Sequence, residues 1–121
     1  MKLVHTMLGG GFYAWADILA PEISKVDEEL ERFDLKAASM ARKHLKKNIY
    51  FDITHAPPWG KAQMECAVKV LGADRFFFSC SYPVRIEWLT EGVAFMKNLD
   101  LSDAEKDMML GGNAQKIFNL S

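Results

Sequence analysis

The chain has 121 residues, half of them hydrophobic and 26% charged, with a formal net charge of −1. That length suits a single domain, residues 1–121, with a modest core, and the balanced charge, free of any basic run or acidic tail, argues against nucleic acid as a partner. No apolar stretch reaches the roughly 18 residues that a membrane helix needs, and the start is too short and Gly-rich for a signal peptide, so no membrane association and a cytoplasmic location are expected.

Met1 to His5 reads as a short strand, ended by the Gly9-Gly10-Gly11 turn. A strand end this close to Met1 predicts that the upstream part of a longer fold is missing. The three glycines carry no following Lys-Ser/Thr and do not fit Gly-x-Gly-x-x-Gly, so phosphate binding is not expected. Phe12 to about Ala20 is aromatic and aliphatic and is punctuated by Pro21. A long amphipathic helix follows, its stripe formed by Val26, Leu30, Phe33, Ala37, Met40 (or Ala41) and Leu45. Acids crowd its first half and bases its end, as the helix dipole favours. His44 falls in that basic end and is expected at the surface.

The run Ile49 to Thr54 predicts a second strand, and the loop from His55 to Gly60 follows it. Lys61 to Leu71 predicts a helix with Met64, Ala67, Val68 and Leu71 on one face and Gly72 past its end. Arg75 to Cys80 predicts a third strand. The next helix is expected from Arg85 to Asn98, carrying Ile86, Leu89, Val93 and Met96 inward. Ser102-Asp103-Ala104-Glu105 has the form of a capping box, so another helix starts at Asp103 and is expected to stop at Gly111-Gly112. A short helix from Asn113 to Phe118 ends the pattern. Cys66 and Cys80 have no partner spacing and read as free, mostly buried thiols.

The order β-α-β-α-β-α requires parallel strands. Alternation puts Tyr50, Asp52 and Thr54 opposite Ile49, Phe51 and Ile53, and Phe77, Ser79 and Ser81 opposite Phe76, Phe78 and Cys80. The apolar sets should pack on helices. The other sets, grouped with His5, make a face that turns polar toward the strand C-termini, as a barrel interior does beneath its active-site mouth.

Several segments together resemble one family. His5 with Gly9-Gly10-Gly11 is similar to a His-Gly-Gly strand end. Asn48-Ile49-Tyr50-Phe51-Asp52 resembles Asn-x-Tyr-x-Asp. The stretch from Gly72 to Pro83 resembles Gly-x-Asp-Arg-(apolar)-Gly-Ser-Asp-Tyr-Pro. Leu101-Ser102 with Glu105-Lys106, then Gly112-Asn113-Ala114-Gln115-Lys116-Ile117-Phe118, resembles the family's closing motif. The family is the amidohydrolase branch that includes aminocarboxymuconate-semialdehyde decarboxylase and the resorcylate decarboxylases. The resemblance implies an α/β fold: a partial (β/α)8 barrel of about three parallel β-α units, strands six to eight, plus C-terminal helices. A complete barrel takes about 250 residues.

The resemblance also implies a divalent metal, usually zinc, held by a His-x-His pair on strand one, a His on strand five and the Asp of Ser-Asp-Tyr-Pro. This chain has no His-x-His, and Ser81 stands at the Asp position. A serine hydroxyl is a poor substitute for a carboxylate on such a cation, so no metal ligands and no cofactor are expected in the isolated chain. His5 matches the strand-six His that the resemblance assigns to proton transfer or substrate polarisation; the alternative is a histidine left at a strand end. Asp52, His55, Trp59, Ser81 and Arg85 are the candidate substrate-binding residues, with loop packing as the alternative for His55 and Trp59, and an exposed first-turn position for Arg85.

A three-stranded parallel sheet leaves edges and an inner face uncovered, with Tyr50 and Phe77 expected to be exposed there. That predicts a homo-oligomer, most simply a dimer, or a second polypeptide that completes the barrel. Helices folding across the open face are the alternative. The functional expectation is a barrel fragment without metal-dependent catalysis by itself, acting as an interaction or structural module. The alternatives are a metal-dependent hydrolase or decarboxylase completed by another chain, and a small-ligand binder at the strand C-termini.

Overall fold

The computed structural model describes residues 1–16, 43–54 and 56–120. Three parallel strands, β1 (Leu3–His5), β2 (Ile49–Asp52) and β3 (Phe76–Phe77), form one sheet in that order. The helices are α1 (Ala56–Trp59), α2 (Lys61–Leu71), α3 (Ile86–Thr90), α4 (Gly92–Lys97), α5 (Asp103–Asp107) and α6 (Asn113–Phe118), with a π-turn at Met108–Gly112 between the last two. Most of the expected long amphipathic helix, and residues 17–20 ahead of it, lie outside the described residues; residues 43–48 are helical.

Register decides which side chains share a face. Leu3 pairs with Ile49, Val4 with Tyr50 and His5 with Phe51; Phe51 pairs with Phe76 and Asp52 with Phe77. Phe51, Ile53 and Phe76 therefore face one helical layer, where they pack with Met64, Ala67, Val68 and Leu71 of α2. The periodicity of α2 had placed those four residues together, and all four are buried. Burying the Phe, Ile, Met, Val and Leu side chains of this layer contributes roughly 1.5–3 kcal/mol each. The same register corrects the placement of His5. It lies on the Phe51 face, not with Tyr50 and Asp52.

The opposite face is not open. Tyr50 and Phe77, expected to be exposed, are buried against Ile117 and Ala114 of α6, with Val4 beside them. The Phe118 ring meets Phe77 edge-on at 5.9 Å. Lys2 Nζ donates to the Ile117 carbonyl at 3.3 Å, and the Arg75 guanidinium lies 4.7 Å over the Tyr50 ring. The C-terminal helix folds across this face, which was the alternative to a bare inner surface.

The route to α6 explains a second correction. Gly111-Gly112 does not stop the helix; the pair is absorbed in the π-turn, and the chain continues into α6. Asn113, buried at the junction, donates from Nδ2 to the carbonyls of Ala73 (2.8 Å) and Phe76 (2.6 Å). The Phe78 amide donates to the Met109 carbonyl at 2.7 Å. Because Phe78 bonds to this turn, strand structure ends at Phe77, short of the expected Cys80. At the start of α5 the expected capping box is present, Ser102 and Glu105 satisfying each other's amides.

The Arg85 to Asn98 segment also departs from expectation. It is two helices, broken at Glu91, and Ile86, Leu89 and Val93 are exposed. Only Met96 of the expected stripe is buried. The inward face is instead set by Gly92, where an added Cβ would sit 2.9 Å from the Phe78 ring, and by Met96 one turn later. Cys66, expected to be mostly buried, is exposed on α2; Cys80 is partly buried, and both are free thiols.

Between β1 and Tyr13 the chain takes a left-handed turn. Met7, Leu8, Gly9, Gly10 and Gly11 all have positive φ, from 54° to 85°. Leu8 is 1% exposed, so its core packing offsets the left-handed strain of a residue with a Cβ. Gly9 is required twice over: φ is +65°, and a Cβ would stand 2.7 Å from Cε1 of Phe51.

Two outcomes test this packing by chemical denaturation. Gly9→Ala should destabilise the chain by about 2–4 kcal/mol, from the left-handed backbone and the overpacking against Phe51. Asn113→Ala should cost about 1–3 kcal/mol, because it strips donors from two buried carbonyls.

Candidate functional site

The strand C-termini carry one polar cluster, centred on Asp52 at the end of β2. The residue is buried at 8% exposure. Its Oδ1 accepts from the Met7 amide (3.1 Å), the Thr54 amide (3.2 Å) and Thr54 Oγ1 (2.6 Å). Thr54 Oγ1 and Ser79 Oγ are 2.7 Å apart. A hydroxyl has one proton, and Thr54 gives its own to the carboxylate, so Ser79 donates to Thr54. The order Ser79 to Thr54 to Asp52 follows from that count. The cluster ties the turn after β1, the end of β2 and the chain beyond β3 to a single carboxylate.

Hydrogen bonds bring together Asp52, Thr54 and Ser79, which the sequence had grouped on one face, although Thr54 and Ser79 lie just beyond β2 and β3. The other described candidates do not join them. His5 is exposed on the opposite face, its ring stacked on Phe51 at 6.3 Å between centroids, with Nδ1 3.1 Å from the Thr6 carbonyl oxygen. Trp59 ends α1, a helical turn where a loop was expected, and packs partly buried on the main core. An added Cβ on Gly11 would lie 3.7 Å from its ring. Ser81 lies past β3, and its carbonyl accepts from the Val84 amide at 2.6 Å in a turn holding the cis Tyr82–Pro83 bond. Arg85 precedes α3, exposed, ion-paired to Glu87 at 3.7 Å and 5.8 Å from the Trp88 ring centroid. His55 lies outside the described residues.

The turn after β1 was overlooked in the sequence as a contributor to the site. Met7 enters through its backbone amide, which no side-chain motif signals. Nearby, Tyr13 donates to Gln63 of α2, and burial, with the Cys66 thiol as a smaller cause, raises the Tyr13 pKa above its ordinary value. That pair buttresses the turn from the helix side.

These donors do not suit a divalent cation. Among the described residues there is no group of three or more His, Cys, Asp or Glu that could hold a metal ion. Asp52 turns Oδ1 to three internal donors, Thr54 and Ser79 offer neutral hydroxyls, and His5 stands on the other face. The cluster suits a different task, holding three chain segments at fixed spacing. Asp52→Ala should leave the Met7 and Thr54 amides without their acceptor and lower stability by about 2–3 kcal/mol, read from denaturant midpoints; an unchanged midpoint would remove Asp52 from this role.

Comparison with known proteins places this architecture. A family model described as amidohydrolase matches residues 21–120. No curated protein matches the chain. Among solved structures, 5-carboxyvanillate decarboxylase from Sphingomonas paucimobilis is similar at a TM-score of 0.73 and 18% identity, over 99% of this chain and 34% of its own. A dihydroxybenzoic acid decarboxylase from a Polaromonas species, with bound manganese and the inhibitor 2-nitroresorcinol, gives 0.72 and 20%, over 98% and 34%. The 2,6-dihydroxybenzoate decarboxylase from Rhizobium gives 0.72 and 16%, over 98% and 35%. The chain spans about a third of the length of these structures, and the likeness is one of fold. No helix among the described residues is long and apolar enough to cross a membrane. With the family match running over most of its length, the chain belongs to the amidohydrolase family.

Proposed function

We propose that this chain, taken by itself, is a non-catalytic segment of an amidohydrolase barrel, corresponding to strands six to eight, and acts as a structural or interaction module. One observation carries the reading. Among the described residues, the carboxylate at the strand ends, Asp52, is bound into the scaffold by three hydrogen bonds to Oδ1, and Ser81 stands where the family motif has its metal-binding Asp. A metal needs about three protein donors with one open position, and a carboxylate committed to amides and a hydroxyl is a weak start for such a set.

A second reading is favoured by a separate observation: three solved structures that share nearly all of this chain's fold are decarboxylases, each about three times as long. Joined to the rest of a barrel, within a longer polypeptide or from a second one, the segment would take part in divalent-metal chemistry on an aromatic carboxylate. His5 would then be the candidate for proton transfer, and Ser81→Asp should strengthen metal binding.

Calorimetric titration with manganese and with zinc separates the two, together with carbon dioxide release from 5-carboxyvanillate and 2,6-dihydroxybenzoate. The first reading expects no stoichiometric metal and no release from the purified chain. One metal retained per chain after dialysis, with turnover of either acid, would overturn it.

A further inference from the structure

We propose that Asp52 acts on His5 through a single peptide group, fixing the imidazole with its proton on Nδ1 and its lone pair at Nε2. The inference rests on the second reading above, in which His5 transfers protons, and it makes Asp52 a positioning residue for that histidine.

The connection runs through the Thr6–Met7 peptide. Its amide, on Met7, donates to Asp52 Oδ1 at 3.1 Å. Its carbonyl oxygen, on Thr6, lies 3.1 Å from His5 Nδ1. The peptide is trans, so the two groups point in opposite directions. A carboxylate and an imidazole on opposite faces of the sheet thereby share one planar unit. Asp52 is itself steadied by Thr54, whose amide and hydroxyl both donate to the same oxygen. The Gly9 amide donates to the Thr6 carbonyl at 3.0 Å and fixes the peptide from the turn side.

A carbonyl oxygen accepts and cannot donate, so the proton in the His5 contact belongs to Nδ1. In the neutral ring the lone pair is then at Nε2. The carboxylate supports this arrangement in two ways. It clamps the plane of the peptide, and its charge polarises the amide so that the Thr6 oxygen becomes a better acceptor. The His5 ring is held again by Phe51, on which it stacks at 6.3 Å between centroids and an interplanar angle of 28°. Nε2 can take a proton from a hydroxyl or a bound water while Nδ1 keeps its bond to Thr6.

Long-range proton–nitrogen NMR correlations report which ring nitrogen bears the proton. The chain has three histidines, and His44, exposed on the helical residues 43–48, is the internal reference. At about pH 9, where ordinary imidazoles are neutral, His5 should carry its proton on Nδ1. Asp52→Ala should lower the ratio of Nδ1–H to Nε2–H forms at His5 by about fivefold, the worth of one ordinary hydrogen bond, with no change at His44. Asp52→Asn, whose side-chain oxygen can still accept from the Met7 amide, should keep most of the preference. A wild-type His5 protonated on Nε2 would overturn the proposal, whether or not the variants fold. So would an unchanged ratio in Asp52→Ala with its circular dichroism spectrum retained. Absence of turnover in a completed barrel would instead remove the second reading and leave this coupling standing.

Discussion

The fold depends on how the outward side of β3 is satisfied. A strand at a sheet edge exposes amides and carbonyls that need partners. In this chain the Phe76 carbonyl and the Phe78 amide find them in Asn113 and Met109. The π-turn at Met108–Gly112 matters because it delivers both groups to the same strand, Met109 from within the turn and Asn113 as the first residue of α6. From there α6 crosses the sheet and buries Tyr50 and Phe77. Edge closure and coverage of the second face thus share one origin. They account for how a chain matching about a third of the length of the similar decarboxylases still encloses aromatic rings on both sides of its sheet.

At the other end of the strands, one carboxylate organises three segments of the chain. Asp52 gathers the turn after β1 and the end of β2, and through Thr54 it reaches Ser79. A carboxylate that accepts two amides and a hydroxyl is held in one orientation. It serves spacing well and cation binding poorly. Family membership and the proposed scaffold role are compatible, because a fold carries many functions and the site residues decide among them.

Much of this was legible from local pattern. The four inward residues of α2 share a helical face, the capping box sits where Ser102 and Glu105 lie three apart, and strand alternation groups Asp52, Thr54 and Ser79. These features depend on neighbours within a few residues. What was not legible depends on distant partners. His5 is assigned to a face by its pairing with Phe51, and that register joins segments 46 residues apart in sequence. Ile86, Leu89 and Val93 form a convincing apolar stripe, yet Gly92 against Phe78 turns a different side of the segment inward. Gly111-Gly112 reads as a stop, but the bonds of Asn113 and Met109 to β3 carry the chain through it.

The amide of Phe78 tests the account most directly. In native-state hydrogen exchange it should be protected to the same degree as the amides bonded between β2 and β3, because its partner is the Met109 carbonyl at 2.7 Å. Exchange at the rate of an unbonded surface amide would show that the C-terminal segment does not close the β3 edge, and the structure of this chain would need a different explanation.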